Sequence, residues 1–582
     1  MSVTRVLKKY RAVLSKHQKI RVVELGILML LGGILETCSV SLVLPFIDAV
    51  MNPGALMEKQ YAKGICNMLN IHDSRIFLML MAALLAAVYI LKNMYLLFEY
   101  SIQYRFVYAN MFQMQKRLLH DFINRPYEYF LKVNSGEMIR LLNNDIPAVY
   151  ETLMVVLTLF TESIVSMMLI AVIFMIAPAV TVAVAFVLLA LLITVNTIIK
   201  PALRNCGLKD QRALAGMNKW LLQSIQGIKE VKVMQSEVFF QERFDSYGSV
   251  HINSLRKSRI LNLMPRFLIE GICMAAMFIV IGFLIYLGEN LEKVIPVVSA
   301  VAAAAVRLLP SVNRISSAMA SVSYNEPMLD KLIENLDSLD ESGRDAGSGK
   351  SSSFCLNHDL CFRQVLYRYP DSEHTVLSGA DMRIQKGESI GIAGASGAGK
   401  TTLTDIMLGL LKPQQGQVLA DGKDISDDIQ GWYRCAGYIP QTIFMLDGTI
   451  RENITFGMEN ANGDADNTDA RIIEALEEAS LGEFLAGLPD GLDTEIGERG
   501  MRLSGGQRQR IGIARVLFRN PEVLFFDEAT SALDHETEAA IMDSIYRLHR
   551  KKTMVIIAHR LSTLEKCDHV YRVENGKIVV QR

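Results

Sequence analysis

The segment 394–401 has the residue types and spacing of a phosphate-binding loop, G-x-x-x-x-G-K-[ST]. It follows the apolar run Ser389–Ala393 and precedes a helical pattern, which is the context that this motif requires. Glycines let backbone N–H groups close around phosphate oxygens, and the helix N-terminus adds positive potential. We expect Lys400 to neutralise the β- and γ-phosphates and the Thr401 hydroxyl to ligate Mg²⁺. The predicted nucleotide-binding residues here are Gly394, Ala395, Ser396, Gly397, Ala398, Gly399, Lys400, Thr401 and Thr402.

Two acidic residues end a second apolar run, Val523–Phe526. Asp527 stands where a carboxylate can hold Mg²⁺. Glu528, the next residue, can orient and deprotonate an attacking water molecule. An acid pair that only caps a helix after a core strand is the alternative, but its place downstream of a phosphate-binding loop favours nucleotide hydrolysis.

A second glycine-rich segment, Leu503–Gln507, lies between these motifs and opens another helical pattern. Ser504, Gly505, Gly506 and Gln507 again offer donors to phosphate at a helix N-terminus. The first loop already covers the phosphates from one side. A second donor set is useful if it serves a nucleotide held by another copy of the chain.

The composition restricts the elements that can carry these motifs. Of the 582 residues, 51% are hydrophobic and 21% charged, and the mean hydropathy is +0.24. Disordered chains combine low hydrophobicity with high net charge, and this chain has neither. Its net charge of −1 also argues against a globally basic nucleic-acid binder. The cysteines form no C-x-x-C pair, so neither a zinc site nor a disulfide framework is indicated. They are Cys38, Cys66, Cys206, Cys273, Cys355, Cys361, Cys435 and Cys567.

Apolar stretches concentrate in residues 1–337, which we interpret as a membrane domain. A spanning helix needs about 20 mostly apolar residues. Six stretches qualify, at roughly 21–48, 75–100, 149–177, 179–202, 263–288 and 293–318. Lys and Arg fill the N-terminus and the long connections 101–148 and 203–262, which places them in the cytoplasm. These connections read as helical and should extend the membrane helices, and no cleavable signal peptide is expected.

The remainder divides into a linker and a soluble domain. Residues 338–353 are rich in Gly and Ser and are predicted to be a flexible linker. In residues 354–582, short β-branched runs alternate with helical patterns. This alternation predicts an α/β domain with a mainly parallel sheet, and an even number of spans makes it cytoplasmic.

Taken together, these motifs resemble those of the ATP-binding cassette (ABC) transporters, specifically half-transporters of the exporter type. The resemblance implies ATP and Mg²⁺ as cofactors, membrane lipids as surroundings, and a homodimer in which Ser504–Gln507 completes the partner's ATP site. Tyr369 resembles the aromatic residue that stacks on adenine. Gln441 resembles the residue that contacts Mg²⁺ and senses the γ-phosphate, and His559 resembles the switch histidine. Ser531–Asp534 resembles the loop that crosses the dimer interface.

The same resemblance implies two coupling segments in the long connections. The first runs through Asn124–Phe130 and Ser135–Glu137, and the second through Gln226–Val231 and Glu237–Phe240. Gly136 and Gly227 would permit tight turns, and the aromatic residues would contact a groove in the nucleotide domain. Ordinary packing of helix, loop and helix is the alternative.

Charged residues inside predicted spans are costly and usually mark a polar pathway or a paired site. Arg307 and Arg314 share a helix face with Ser311, and arginine suits phosphate because its planar fork binds oxyanions. One hypothesis is that they bind a phosphate or diphosphate headgroup. The alternative is that they pair with Glu36 and Glu270 or lie in the cytoplasmic extension. The candidate substrate residues are Arg307, Arg314, Arg266, Glu36 and Glu270.

The sequence around these charges resembles one subgroup, the flippases of polyprenyl-diphosphate-linked oligosaccharides in bacterial protein N-glycosylation. That resemblance implies a multi-pass protein of the bacterial inner membrane that turns a lipid-linked glycan to the outer leaflet. An exporter of another amphiphile, such as a drug, lipid or peptide, is the second hypothesis. A non-transport ABC ATPase is the third and an importer the fourth, and the fused membrane spans argue against both.

Overall fold

The computed structural model of the chain describes residues 3–42, 46, 50, 74–133, 135–176, 193, 195–286, 291–342, 355–370, 372–458, 465–528, 535–558 and 561–581. These form two compact units. The first contains residues 1–125 and 132–346, and the second contains residues 126–131 and 347–582.

The first unit is built from long helices. In chain order they are α1 (Val3–Val13), α2 (Lys16–Ser41), α3 (Ser74–Ile123), α5 (Ser135–Arg140), α6 (Ile146–Ile176), α7 (Lys200–Gln226), α8 (Ile228–Val233), α9 (Glu237–Tyr286) and α10 (Leu291–Ser342); α4 (Tyr127–Lys132) lies almost wholly in the second unit. Short π-helical turns, Leu141–Asp145 and Val195–Ile199, precede α6 and α7.

Helix α3 is longer than the thickness of a membrane. It has 50 residues, and at about 1.5 Å per residue it is more than twice as long as a hydrocarbon core of about 30 Å. Leu84, Leu91, Met94 and Leu97 are exposed along it, as expected of side chains that face lipid. The predicted helical extensions of the spans therefore have a structural counterpart.

Three helices among the described residues are long and apolar enough to cross a membrane: Lys16–Ser39, Arg75–Ile123 and Gly136–Met168. The fifth and sixth predicted spans lie on α9 and α10. Most of the fourth lies outside the described residues. The helical membrane domain is confirmed, whereas the count of six spans stays a prediction.

Polar contacts as well as apolar packing join the helices of the first unit. Helix α10 packs against α6, α7 and α9, while α2 packs against α3 and α6. The Lys9 ammonium of α1 lies 2.9 Å from a Glu326 carboxylate oxygen of α10, and the Tyr10 hydroxyl donates to the Val149 carbonyl oxygen at 2.7 Å. Helix α10 continues to Ser342, so a helix covers the first residues of the predicted linker.

The second unit contains two sheets. The six-stranded sheet has the order β10-β9-β3-β8-β7-β6, and the four-stranded antiparallel sheet has the order β2-β1-β4-β5. The strands are β1 (Asp359–Arg368), β2 (Thr375–Gln385), β3 (Ser389–Gly394), β4 (Gln415–Ala420), β5 (Lys423–Asp424), β6 (Ala436–Ile439), β7 (Val523–Asp527), β8 (Thr553–Ile557), β9 (His569–Glu574) and β10 (Lys577–Val580).

Strands β3, β6, β7, β8 and β9 run parallel, and only β10 pairs antiparallel in the larger sheet. Every residue of β7 and β8 is buried, which explains their continuous apolar sequence. The predicted α/β fold with a mainly parallel sheet is confirmed.

The helices of the second unit follow or cover these strands. They are α11 (Lys400–Met407), α12 (Ile429–Cys435), α13 (Ile450–Thr455), α14 (Ala465–Glu478), α15 (Gly482–Ala486), α16 (Gly505–Phe518), α17 (His535–Tyr546) and α18 (Leu561–Leu564). Helix α11 follows β3 directly, so the carboxyl end of a buried strand presents the glycine-rich loop.

Candidate nucleotide site and its family

The glycine-rich loop joins β3 to α11 with backbone angles that favour glycine. Gly397 and Gly399 have φ values of 79° and 100°, in the left-handed region. A Cβ atom on Gly399 would lie 2.8 Å from a Val376 methyl carbon, so a side chain there would clash as well as strain the backbone. The Lys400 ammonium donates to the carbonyl oxygens of Gly394 and Ala395 at 3.0 and 3.1 Å, which keeps it over the loop.

The acid pair ends β7 as the sequence predicts. Asp527 is buried, and the Tyr438 hydroxyl donates to its Oδ2 at 3.3 Å. Glu528 has a φ of 47°, an uncommon angle for a residue other than glycine, and its backbone N–H donates to the Ile557 carbonyl oxygen at 3.0 Å. This turn carries the Glu528 side chain away from the direction of the strand.

Gln441 and Glu528 meet although 87 residues separate them in sequence. The Gln441 Nε2 donates to the Glu528 Oε2 at 2.9 Å. Gln441 follows β6 and Glu528 follows β7, and these strands are parallel neighbours. The structure thus brings together two residues that the sequence predicts for one site.

Tyr369 lies just beyond β1, where its hydroxyl is 3.1 Å from the Thr402 Oγ1 of α11. Its ring packs edge-on against the Tyr367 ring, with 5.2 Å between centroids. The residue predicted to stack on adenine is therefore in contact with the helix that carries the phosphate-binding loop.

The donors of the second glycine-rich segment stand at the start of α16. Ser504 accepts a hydrogen bond from the Gln507 backbone N–H, and the Gln507 side chain accepts one from the Ser504 backbone N–H. This reciprocal cap defines the helix start. A Cβ atom on Gly505 would meet no atom of the described chain within 4 Å, so internal packing does not require glycine there.

Residues near the acid pair that the sequence reading missed are Tyr438 and Asp405. Asp405 is buried on α11, and burial, together with the charge of Asp527, raises its pKa to about 6. Burial and the same charge also raise the pKa of Tyr438. The spacing of four from Thr401 to Asp405 was the available signal, because it places both on one helix face.

The residues present fit the Mg²⁺ that a nucleotide would bring. A hydroxyl (Thr401), a carboxylate (Asp527) and an amide (Gln441) are oxygen donors of the type that Mg²⁺ prefers, and this ion usually keeps several waters and phosphate oxygens. No group of three or more His, Cys, Asp or Glu side chains in the described parts of the chain could hold a metal by itself. His559 and Ser531–Asp534 lie outside the described residues.

The first coupling segment is divided between the two units, with residues 124, 125 and 135–137 in the membrane unit. Residues 126–131 cluster with the nucleotide unit, and the Tyr367 hydroxyl donates to the Glu128 Oε1 at 3.4 Å. Gly136, expected to permit a turn, lies inside α5 instead. Gly227 does separate α7 from α8, but with a negative φ of −97° that other residues can adopt.

In the second coupling segment the aromatic residues pack within the membrane unit. The Trp220 ring centroid lies 5.8 Å from that of Phe239 and 6.0 Å from that of Phe240. These ring contacts agree with the alternative interpretation of this segment, ordinary packing of helix, loop and helix. The expected contact of these rings with a nucleotide domain stays a prediction.

Among the candidate substrate residues, Arg314 forms ion pairs. Its Nε lies 2.9 Å from a Glu162 carboxylate oxygen, and its Nη2 lies 4.0 Å from a Glu36 oxygen. The expected alternative of pairing with Glu36 is thus found for Arg314, and Glu162 is a partner that the sequence reading missed. A Glu inside the predicted span 149–177 was the available signal.

The other candidates do not join this cluster. Arg266 and Glu270 are exposed on α9, and the Arg266 guanidinium lies 6.0 Å from the centroid of the Phe267 ring. The structure shows no ion pair between these two described side chains. The side chain of Arg307 lies outside the described part of the chain.

Comparison with known proteins agrees with both units. The profile of the ABC transporter family matches residues 377–531, and that of the ABC transporter transmembrane region matches residues 23–295. The heterocyst differentiation ATP-binding protein HepA of Nostoc sp. is 30% identical over 476 residues, which cover 81% of this chain and 75% of that protein.

Two further proteins are similar to this chain over most of its length. The ATP-dependent lipid A-core flippase of Chromobacterium violaceum is 29% identical over 473 residues, covering 81% of this chain and 79% of that protein. A bacterial Atm1-family ABC exporter with ATP bound has the same fold, with a TM-score of 0.78, 23% identity and coverage of 97% and 95% of the two chains. The chain therefore belongs to the ABC transporters, as a membrane-embedded half-transporter of the exporter type that couples ATP hydrolysis to transport.

Proposed function

We propose that two copies of this chain form an ATP-driven flippase or exporter in the bacterial inner membrane, with the N-terminus and the nucleotide domain in the cytoplasm. The observation that carries the homodimer is the completeness of one chain. It has the Lys400 loop, the Gln441–Glu528 pair and an intact Ser504–Gln507 segment. Two copies would then have two equivalent hydrolysis sites without a different partner chain.

In this proposal each side chain of the ATP site has an assigned role. Tyr369 stacks on adenine, and Lys400 leaves its loop carbonyl oxygens to bind the β- and γ-phosphates. Thr401, Asp527 and Gln441 would hold Mg²⁺, which would supply positive charge to the phosphates. Glu528 accepts a proton from the attacking water while Gln441 orients its carboxylate, and His559 contacts the γ-phosphate.

The open surroundings of Gly505 support a site completed by the partner. A glycine that fills no tight place in its own chain allows another molecule to approach its backbone closely. The N-terminus of α16 presents backbone N–H donors beside this glycine. We therefore assign Ser504, Gly505, Gly506 and Gln507 to the triphosphate bound by the other copy.

Coupling to the membrane would pass through the first coupling segment. Glu128 contacts Tyr367, which packs on Tyr369, and Tyr369 contacts Thr402 next to the Mg²⁺ residue Thr401. A nucleotide that draws Tyr369 onto its adenine must change this chain of contacts. Closure of two nucleotide domains on ATP, and reset after hydrolysis, would thereby alternate access across the membrane.

For the substrate, we propose a polyprenyl-diphosphate-linked oligosaccharide as the first candidate. It is supported by the resemblance around Glu36, Arg266, Glu270, Arg307 and Arg314. Because Glu162 and Glu36 already engage Arg314, a diphosphate that binds there must compete with both carboxylates. The other arginine predicted to bind the diphosphate is Arg307.

A second candidate, another amphiphile such as a lipid, drug or peptide, is favoured by the same ion pairs. They neutralise the guanidinium that the first candidate requires. The lipid A-core flippase of Chromobacterium violaceum, with 29% identity over most of the chain, shows that relatives act on other lipids.

The test uses purified protein in nanodiscs. The ATPase rate is measured against added polyprenyl-diphosphate oligosaccharide, with Glu528→Gln as the blank. Stimulation by this lipid that disappears in Arg307→Ala supports the first candidate. A substantial basal rate that is indifferent to the lipid shifts the assignment to the second candidate. Loss of ATP turnover in the parent protein under all conditions would contradict the transporter proposal itself.

A further inference from the structure

A buried carboxylate in the membrane unit lies outside every role assigned above. Glu99 of α3 is 5% exposed, and the Gln103 Nε2 donates to its Oε1 at 2.7 Å. Among the described residues the other carboxylate oxygen, Oε2, has no hydrogen-bond donor. An unpaired carboxylate in such a place is costly, so its surroundings indicate what it can bind.

Those surroundings are short of donors. Gln103 is fully buried, and its Oε1 is also without a donor among the described residues. On α6, which packs against α3, the Glu162 Oε2 likewise has no donor among the described residues, and its Oε1 is the ion-pair partner of Arg314. Each unpaired atom is an acceptor. A ligand that completes them must therefore donate hydrogen bonds.

Helix α2 leaves room for Glu99. A Cβ atom on Gly32 would lie 2.2 Å from the Glu99 Oε2, so this oxygen occupies the space that a side chain would fill. Glu36 is one turn further along the same face of α2. Glu99 thus points at the helix face that carries another carboxylate.

The charge in this region is negative. Arg314 pairs with Glu162 and Glu36, and among the described residues Glu99 has no ion pair. These carboxylates are not part of any group of three or more His, Cys, Asp or Glu side chains that could hold a metal ion among the described residues. A cation with several hydrogen-bond donors matches both the charge and the unpaired acceptors, and a primary ammonium has three donors and no acceptor.

We propose that Glu99, Gln103 and Glu162 form a binding site for a protonated amine in the membrane unit. The inference rests on the second proposed substrate class, an amphiphile other than the diphosphate lipid, and names a chemical group of that substrate. Glu99 supplies the charge, Gln103 holds its carboxylate in place, and Gly32 leaves room on α2 for the Glu99 carboxylate. Arg314 is a structural cation that orients Glu162.

Photolabelling tests the site directly. The full-length protein, nucleotide-free in zwitterionic nanodiscs, is exposed to a diazirine-bearing dodecylamine, or to its dodecanol or dodecyl sulfate counterpart, and labelled peptides are mapped by mass spectrometry. We expect the amine to label peptides of α2, α3 and α6 more strongly than the alcohol does. Glu99→Gln should reduce this preference about tenfold, the effect of losing one charge interaction of about 1.4 kcal/mol.

Matched controls separate the site from membrane partition and misfolding. Glu24→Gln removes an exposed α2 carboxylate and should leave the preference unchanged. Glu99→Asp keeps the charge and should retain most of it. At equal ionic strength, methylammonium should compete with the probe and tetramethylammonium, which has no N–H donor, should not.

Equal labelling by amine and alcohol, a preference that survives in Glu99→Gln, or equal competition by the two ammonium ions would overturn the proposal. Stronger labelling by dodecyl sulfate would overturn it in favour of an anion site at Arg314. The basal ATPase rate of the same nanodiscs reports the proposed transporter function separately, because labelling is done without ATP.

Discussion

The nucleotide unit and the membrane unit assemble their polar sites in different ways. In the nucleotide unit, Gln441 and Glu528 meet because each lies within two residues of the end of one of two neighbouring parallel strands. In the membrane unit, Arg314 pairs with Glu162 and Glu36 because the packing of three long helices brings these side chains together. The first arrangement is fixed by short motifs, and the second depends on helix packing over hundreds of residues.

The two units also differ in how firmly their polar side chains are held. Each residue of the nucleotide site has a backbone element that fixes it, such as the left-handed turn at Glu528 or the capped start of α16. The membrane cluster keeps unpaired acceptors and an excess of carboxylates. Catalysis needs fixed groups, whereas a transport pathway needs groups that can exchange partners.

The largest effect is expected at Glu528. Glu528→Gln keeps the volume of the side chain and should keep ATP binding, but it removes the general base. Turnover should therefore fall about 10²- to 10⁴-fold, the usual contribution of such a base. ATPase assays and equilibrium nucleotide binding check this. Glu474→Gln, an exposed change on α14, is the matched control. Turnover equal to that of the parent protein would remove Glu528 from the mechanism.

Gly505→Glu tests the other half of the nucleotide site. Its side chain would meet open space in its own chain, so the melting temperature should not change. It would place a negative charge against the partner's phosphates, and hydrolysis should fall about 10²-fold, comparable to the loss of one transition-state donor. Melting curves and ATPase rates on the same samples check this. Parental activity would contradict the assignment.

A smaller effect, on stability, is expected at Asp405. Burial and the Asp527 charge raise its pKa to about 6, above the ordinary value of 3.8. Between these two pKa values the folded chain binds more protons than the unfolded chain, so the free energy of unfolding falls as pH rises. At pH 7.5 the ionised, buried carboxylate therefore opposes folding. Asp405→Asn should therefore raise the free energy of unfolding at pH 7.5, by at most about 3 kcal/mol.

The measurement is the melting temperature of nucleotide-free protein in nanodiscs at pH 7.5 and pH 5. The advantage of Asp405→Asn should shrink at the lower pH, because the parent carboxyl is then protonated. A variant that melts below the parent protein at both pH values would show that the carboxylate is needed for folding.

The smallest effect is expected in the membrane cluster. Arg314→Ala leaves Glu162 buried without its partner, but Arg314 is about half exposed, so we expect a loss of about 1–2 kcal/mol, below the range for fully buried pairs. Arg314→Met with Glu162→Leu should restore the melting temperature. Arg21→Ala, which breaks an exposed pair on α2, is the control and should cost less than about 1 kcal/mol. Equal melting temperatures for Arg314→Ala and the parent would show that the pair is immaterial.

The same contrast explains how far the sequence could be read. The phosphate-binding loop, the acid pair and the strands β3, β7 and β8 follow from local patterns, since strand, turn and helix are contiguous there. Asp405 was detectable only by its helical spacing from Thr401, and Tyr438 only once β6 was known to lie beside β7. Glu99 and Glu162 could not be placed, because which face of a membrane helix turns inward depends on its neighbours.

The central claim is that two copies of this chain complete each other's ATP sites. It is tested most directly by mixing subunits that carry Lys400→Ala with subunits that carry Gly505→Glu, each of which should be inactive alone. In the mixed dimer one site keeps both an intact Lys400 loop and an intact Gly505 segment. The account predicts that ATPase activity returns, up to half of the parent rate for the mixed dimers formed. Mixed dimers that stay as inactive as either variant alone would contradict it.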